Sequence, residues 1–347
     1  MTFASRISRR GLAYAAAGLA LTLGLGVTDA AEAQTKLKFT LDWAFQGPTS
    51  AFLLAEQKGY YKAEGIDITI DAGQGSAGAL QRVATGAYEM GYADINALIE
   101  YNVKNPDAQV KAVMMGYDAP PFGVYALKSS GIKTPKDLAG KKLGAPVFDA
   151  SFKLFPAFAA KIGIDKSTVT HINLQPPLRE PSLKNGSVDF ISGHYFSSIL
   201  DLEKIGVKED EIVSFAYSDY GMDFYGNAVI ASPKFIKENP AAIKGVVKAT
   251  IKAWQEIAAN PELGIKATKT RDGLTDEALE MKRLKLSLER NVLTKYVKEN
   301  GFGGVDMARL QRSSDAVAQA VGLPRAPKAE ELFDDSFLPP KAERMMP

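Results

Sequence analysis

The 347-residue chain has no cysteine, two histidines and two tryptophans. Without cysteine there is no disulfide framework, thiolate nucleophile, iron–sulfur cluster or cysteine zinc site. His171 and His194 alone cannot make a three-histidine metal site, so no metal or other cofactor is expected. Net charge is also scarce: 42 Lys+Arg stand against 40 Asp+Glu, without the broad basic field that nucleic-acid binding needs, so no nucleic-acid partner is expected. Beyond residue 33, no run approaches the roughly 20 apolar residues of a membrane span. What remains is a chain of ordinary globular composition, 46% hydrophobic. Its function must come from a shaped, mostly apolar and hydrogen-bonding pocket, or from carboxylate chemistry.

The first 33 residues read as an export signal. Arg6, Arg9 and Arg10 precede an uncharged Ala- and Leu-rich stretch from Gly11 to Thr28, and Ala31-Glu32-Ala33 offers a small-x-small cleavage pattern. Ser8-Arg9-Arg10-Gly11-Leu12 also resembles a twin-arginine signal. Cleavage near Ala33 leaves 314 residues starting at Gln34, with Arg6, Arg9, Arg10, Asp29 and Glu32 removed and 39 basic against 38 acidic side chains. A soluble, periplasmic protein is expected.

The rest of the chain alternates strand and helix patterns. Leu37 to Leu41 and Ile66 to Ile70 alternate like strands, and Ala51 to Lys58 reads as a helix stopped by Gly59. Leu80, Val83, Ala84 and Ala87 form a helical stripe, and Val110 to Met115 is a short apolar strand. This order predicts an α/β fold with parallel sheets. Gly86-Ala87-Tyr88-Glu89-Met90-Gly91-Tyr92-Ala93-Asp94 aligns with Gly186-Ser187-Val188-Asp189-Phe190-Ile191-Ser192-Gly193-His194, 100 residues later. In both, a helix ends at Gly, a strand follows an acidic residue, and a polar side chain stands at the strand's end. Two lobes repeating one βαβ plan would put Asp94 and His194 at equivalent carboxyl edges, where open α/β sheets bind ligands.

Lobe 1 is predicted over 34–122 plus 224–347 and lobe 2 over 123–223, joined by two crossovers that act as a hinge. The C-terminal part is helical. Asn239 caps and Pro240 opens a segment with Ile243, Val246, Val247, Thr250, Ile251, Trp254 and Ile257 on one face, which makes Trp254 a core residue.

Several positions are candidates for a site. Gly73-Gln74-Gly75-Ser76-Ala77-Gly78 is a formal G-x-G-x-x-G between a strand and a helix, with Asp94 about 20 residues on. It supports two readings: a twin-arginine-exported NAD(P)-dependent oxidoreductase, or a Gly-rich turn aiming Ser76 and a helix N-terminus at a small anion or carbonyl. Asp149-Ala150-Ser151 holds the corresponding place in lobe 2, after the strand Lys142 to Val147, with Asp149 as N-cap and Ser151 as donor. Trp43, Phe45, Tyr117, Phe148, Tyr195 and Tyr225 gather with other aromatics at predicted loop ends, which suits a flat or cyclic ligand held by stacking. His194 has no nucleophile beside it and reads as a hydrogen-bonding residue.

Leu41-Asp42-Trp43, the run Ala55-Glu56-Gln57-Lys58-Gly59-Tyr60-Tyr61, the segment Thr134-Pro135-Lys136-Asp137-Leu138 and the terminal Phe337-Leu338-Pro339 resemble the sulfonate, nitrate and thiamine-pyrimidine-precursor branch of periplasmic solute-binding proteins. The resemblance covers essentially the whole chain after residue 33. It implies a two-lobed type II binding protein with two hinge crossovers and a C-terminal helical segment. Such a protein is a monomer and not an enzyme; it closes on a small-molecule solute and presents it to the permease of an ABC importer in the inner membrane. Leu41-Asp42-Trp43 and Tyr220-Gly221-Met222-Asp223-Phe224-Tyr225 are most similar to the pyrimidine-binding subgroup, although Ala44-Phe45-Gln46-Gly47-Pro48 departs from its usual proline-asparagine stretch. The same fold hosts a pyrimidine-synthesising enzyme with a cysteine-rich iron site, against which the lack of cysteine stands. The expected ligand is an aromatic or heterocyclic solute: a pyrimidine, aromatic carboxylate or sulfonate. Trp43, Phe45, Phe148 and Tyr195, with Gln46, Tyr117 and Tyr225, would enclose it. Ser76 and Ser151 would face a carboxylate, sulfonate or carbonyl, and Asp94, His194 and Asp223 would set hydrogen-bond polarity.

Overall fold

The computed structural model describes Met1 and residues 34–347, and Gln34–Pro347 forms one compact unit. The expected export signal falls on residues 2–33, outside the described residues. Among the described residues, ten strands make two five-stranded sheets. The first contains β1 (Thr35–Thr40), β2 (Ile66–Asp71), β3 (Met90–Asp94), β4 (Lys111–Met115) and, far along the chain, β10 (Asn227–Ala231), in the order β2-β1-β3-β10-β4. The second contains β5 (Phe122–Leu127), β6 (Lys142–Ala145), β7 (Thr170–Asn173), β8 (Phe190–His194) and β9 (Ile212–Ala216), in the order β7-β6-β8-β5-β9.

The two sheets share one topology. β1 lies parallel to β2 and β3, and β6 lies parallel to β7 and β8. The fourth strand of each, β10 or β5, is antiparallel to both neighbours. The sheets are therefore mixed, which corrects the expectation of parallel sheets. Each fourth strand is the one that enters its sheet directly from the other lobe, and that entry reverses its direction.

The 100-residue repeat is present in the fold. β3 and β8 occupy equivalent places, and the helices Ile95–Lys104 and Tyr195–Lys204 follow them. The acidic residue before each strand has a physical task. Glu89 accepts the backbone N–H of Lys38 at 2.7 Å, and Asp189 accepts that of Lys142 at 2.7 Å, so each carboxylate ties its strand to the start of the neighbouring one.

The helix Pro240–Ala259 buries the predicted stripe, Trp254 included, against the first sheet's outer layer. Asn239 occupies its N-cap position without a side-chain cap. The helix Ala150–Ile162 continues through Pro156.

The crossovers between the lobes are residues 116–121 and 217–226. A single side chain from the C-terminal helices holds both. Arg309 donates to Asp118 Oδ1 at 3.0 Å and to the carbonyls of Asp118 and Phe224 at 2.8 Å each, while its guanidinium lies 4.0 Å from the Tyr225 ring centre.

Candidate functional site

At the carboxyl ends of β1, β2, β6 and β8, a cleft with about 480 Å³ of empty space is lined from both lobes. It is narrow: only about 30 Å³ lies far enough from the walls to centre a water molecule. The lobes meet around it. The Ala77 N–H donates to the Phe148 carbonyl at 3.3 Å, and Ser197 Oγ donates to Gln46 Oε1 at 3.1 Å.

The lobe 1 wall is built on Asp42. Its carboxylate accepts Asn227 Nδ2 at 2.6 Å and Ser76 Oγ at 3.2 Å. Ser76 Oγ in turn accepts the Asp94 N–H at 3.0 Å, so the hydroxyl links two acidic residues. Burial pushes the Asp42 carboxyl up to about 6 against the pull of the Asn227 and Ser76 hydrogen bonds. Asp94, behind this wall, caps the helix Ile95–Lys104 by accepting the Ala97 N–H at 2.9 Å, and burial pushes it up to about 8.

The turn at Gly73–Gly78 fits its surroundings closely. Gly75 has φ of 141°, and a Cβ there would stand 2.3 Å from the Phe148 carbonyl oxygen. Gly78 has open space around its Cα. The close approach is thus to the protein's own second lobe, and the third glycine of the formal motif is not required by packing. Nothing in this arrangement supports the dinucleotide reading.

The lobe 2 wall is built on Arg179, only 2% exposed. Its Nε and Nη2 contact Glu180 Oε1 at 2.8 and 2.7 Å, and Nη1 lies 3.6 Å from Asp149 Oδ2. The guanidinium also sits 5.4 Å from the Trp43 ring centre, across the cleft. Gly193 makes room for it: a Cβ there would lie 3.0 Å from Arg179 Nη1 and 2.1 Å from Ser198 Oγ. Asp149 caps the helix Ala150–Ile162 by accepting the Phe152 N–H at 3.0 Å. His194 lies between Phe122 and Phe196, with ring centres 5.3 Å away on each side. Burial, helped by the Arg179 charge, depresses its pKa to about 3, so the ring is neutral and offers one N–H and one acceptor.

Of the twelve residues expected at the site, the cleft brings together Trp43, Gln46, Ser76, Tyr117 and His194. The other seven lie elsewhere, for identifiable reasons. Asp94 is consumed as a helix cap, and Ser151 is buried at the start of the next helix with its carbonyl accepting Tyr217 Oη. Phe45 packs under the Arg271 guanidinium, and Tyr195 bonds Asn291 Oδ1 at 2.6 Å through its hydroxyl. Phe148 is 47% exposed and faces outward beside Gln81 and Arg82. Asp223 pairs with Arg309 with its side chain 76% exposed, and Tyr225 is buried at the hinge, where its hydroxyl accepts the Asp306 N–H.

Residues not expected at the site include Asp42, Asn227 and Arg179. Asn227 opens β10 directly opposite Asp94, a pairing between strands more than a hundred residues apart in sequence. Arg179 sits between Leu178 and Glu180 at the start of a short helix, where its sequence context reads as solvent-facing charge.

A family model described as NMT1/THI5 like matches residues 48–263, more than half of the chain. The chain belongs to the NMT1/THI5-like family. It is 24% identical over 83% of its length to the riboflavin-binding protein RibY of Chloroflexus aurantiacus, covering 82% of that protein. It is 23% identical over 79% of its length to a formylaminopyrimidine-binding protein of Halalkalibacterium halodurans, again covering 82%. Among solved structures, the alkanesulfonate-binding protein SsuA of Xanthomonas axonopodis pv. citri, bound to MOPS, superposes with a TM-score of 0.65 at 16% identity, over 86% of this chain and 98% of that one. At that identity the likeness speaks for the fold, a two-lobed periplasmic binding protein with α/β lobes.

Proposed function

We propose that the protein is the extracytoplasmic solute-binding component of an ABC importer, that it is not an enzyme, and that it takes a small aromatic or heterocyclic solute between its lobes. The observation that carries this reading is the shared cleft: Asp42, Trp43 and Ser76 of one lobe face Arg179, His194 and Phe196 of the other at the ligand-binding edges of both sheets. Family membership and the two binding-protein relatives support it. The lobes, with boundaries at the crossovers 116–121 and 217–226, move about those paired crossovers, and the closed form is delivered to a membrane permease. A ligand shifts the open–closed balance only by the difference in its affinity for the two states. Contacts made by both walls at once supply that difference.

The narrow gap suits a flat ring against Trp43. An aromatic ladder backs this region: Phe39, Phe52, Tyr92, Tyr117 and Phe196 follow one another with ring centres 4.9, 5.0, 5.6 and 6.0 Å apart. With its pKa depressed to about 3, His194 is a weak base, and among the described residues no hydrogen bond joins it to a serine of the cleft, which leaves hydrogen-bond polarity as its role. A thermal-shift screen over pyrimidines, flavins, aromatic carboxylates, sulfonates and nitrate tests the reading, since any ligand of the native state raises the melting temperature. The bound ring should change the fluorescence of Trp43 and leave that of buried Trp254 unmoved. Trp43→Phe should abolish the change and weaken binding about tenfold. An unaltered signal and affinity in that variant would remove Trp43 from the site.

A further inference from the structure

The charge on the two walls narrows the ligand class. Asp42 and Asp149 both face the cleft, and Arg179 is the one lysine or arginine among its lining residues. Arg179 is already engaged by Glu180 through Nε and Nη2, and by Asp149 at 3.6 Å. Glu180 and Asp149 therefore share one guanidinium, and Asp42 faces the cleft without a salt bridge among the described residues. Burying uncompensated negative charge is costly unless a partner of opposite sign arrives with the ligand.

A second, independent feature has the same polarity. Asn227, 1% exposed and on the cleft wall, spends its Nδ2 on Asp42 while its Oδ1 has no partner. Beside the Asp42 carboxylate, this wall therefore offers a free, buried acceptor. Two helix-terminal amides that could have met an anion are taken: Ala77 N–H by the Phe148 carbonyl and Phe152 N–H by the Asp149 carboxylate. The Trp43 ring, one face of which already lies 5.4 Å from the Arg179 guanidinium, completes the surface and has its other face for a ligand ring.

Building on the receptor reading above, we infer that the cleft selects a planar organic cation, an amidinium or a protonated amino-heterocycle, and rejects aromatic carboxylates and sulfonates. The cationic N–H groups donate to Asp42 and to Asn227 Oδ1, and the ring lies against Trp43. The ligand thereby supplies the positive charge that the walls lack.

A matched series that changes charge on a constant ring tests this: benzamidine, benzamide, benzoate and benzenesulfonate, each measured by thermal shift and titration calorimetry at pH 7. Benzamidine should bind at least about tenfold more tightly than benzamide, and the two anions should give no shift at the same concentration. Asp149→Asn keeps the helix cap, since Asn caps as well as Asp, and releases part of the hold on Arg179. It should weaken benzamidine several-fold and bring benzoate into measurable binding. Asp42→Asn serves as the second variant if the first melts early, and it should weaken benzamidine far more than benzamide. Benzoate or benzenesulfonate binding as tightly as benzamidine, or benzamide equalling it, overturns the inference. If the wider screen finds only anionic or neutral rings, the inference falls and the receptor reading stands. If neither the series nor the screen finds any ligand, both fall.

Discussion

Replacing Asp94 by Asn should change how stability depends on pH, and the size of the change follows from burial. The carboxyl is fully enclosed at the end of β3, and desolvation, opposed by the Ala97 amide and the Asn96 side chain, raises its pKa to about 8. In the unfolded chain the value is about 3.9. Below pH 4 both states hold the proton and the group is neutral to folding. Between pH 4 and 8 the unfolded chain releases a proton that the folded protein keeps, so stability falls as pH rises, and the loss is complete above the folded value. A displacement of about four units at about 1.4 kcal/mol each gives a total near 6 kcal/mol, a large share of the 5–15 kcal/mol that holds ordinary domains together.

Asp42, raised to about 6, adds a parallel loss in the lower half of that window only. The stretch from pH 6 to 8 therefore isolates Asp94. Asn preserves the N-cap acceptor that the Ala97 N–H requires and cannot ionise. Urea unfolding of the two proteins at pH 6, 7, 8 and 9 and constant ionic strength should show the wild type losing about 1 kcal/mol per pH unit between pH 6 and 8 and less beyond, while Asp94→Asn stays nearly flat. The variant's relative stability should thus rise with pH and level off above 8. Parallel profiles across that range would refute the burial argument for this carboxyl, and with it the claim that a proton resides behind Ser76 at neutral pH.

The remaining predictions concern closure and the hinge. Gly75→Ala places a methyl 2.3 Å from the Phe148 carbonyl oxygen at a backbone angle that alanine resists, so ligand affinity by calorimetry should fall more than about tenfold. Gly78→Ala, with nothing within 4 Å, should leave affinity unchanged and raise stability by about 0.5–1 kcal/mol; equal damage at both glycines would refute the packing account of this turn. Arg309→Met removes the side chain that grips both crossovers, which should cost about 2–4 kcal/mol in urea unfolding and speed proteolysis between residues 116 and 121. An unchanged unfolding midpoint would mean that the grip contributes nothing.

Local pattern exposed the units of this fold, and distance hid their assembly. The stripe on Pro240–Ala259, the stop at Gly59 and the repeat ending at Asp94 and His194 all depend on neighbours a few residues away. The direction of β5 and β10 depends on which lobe each strand arrives from, which no local period encodes. The site divides in the same way. Trp43, Ser76 and His194 follow strand ends and could be placed by sheet geometry. Asp223 and Tyr225 also sit beside a crossover, but Arg309, more than eighty residues on, claims both for the hinge. Arg179 was hidden because its burial is created by Gly193, Asp149 and Trp43, each from a different part of the chain.

The exchange of fourth strands also sets an order of completion as the chain is made. All five strands of the second sheet lie between residues 122 and 216, so that sheet has its full membership while the first is still one strand short. Until residue 231 is present, β3 and β4 have no strand between them, and each presents an open edge of the kind that pairs with foreign chains. The half of the molecule synthesised first is thus the half that closes last.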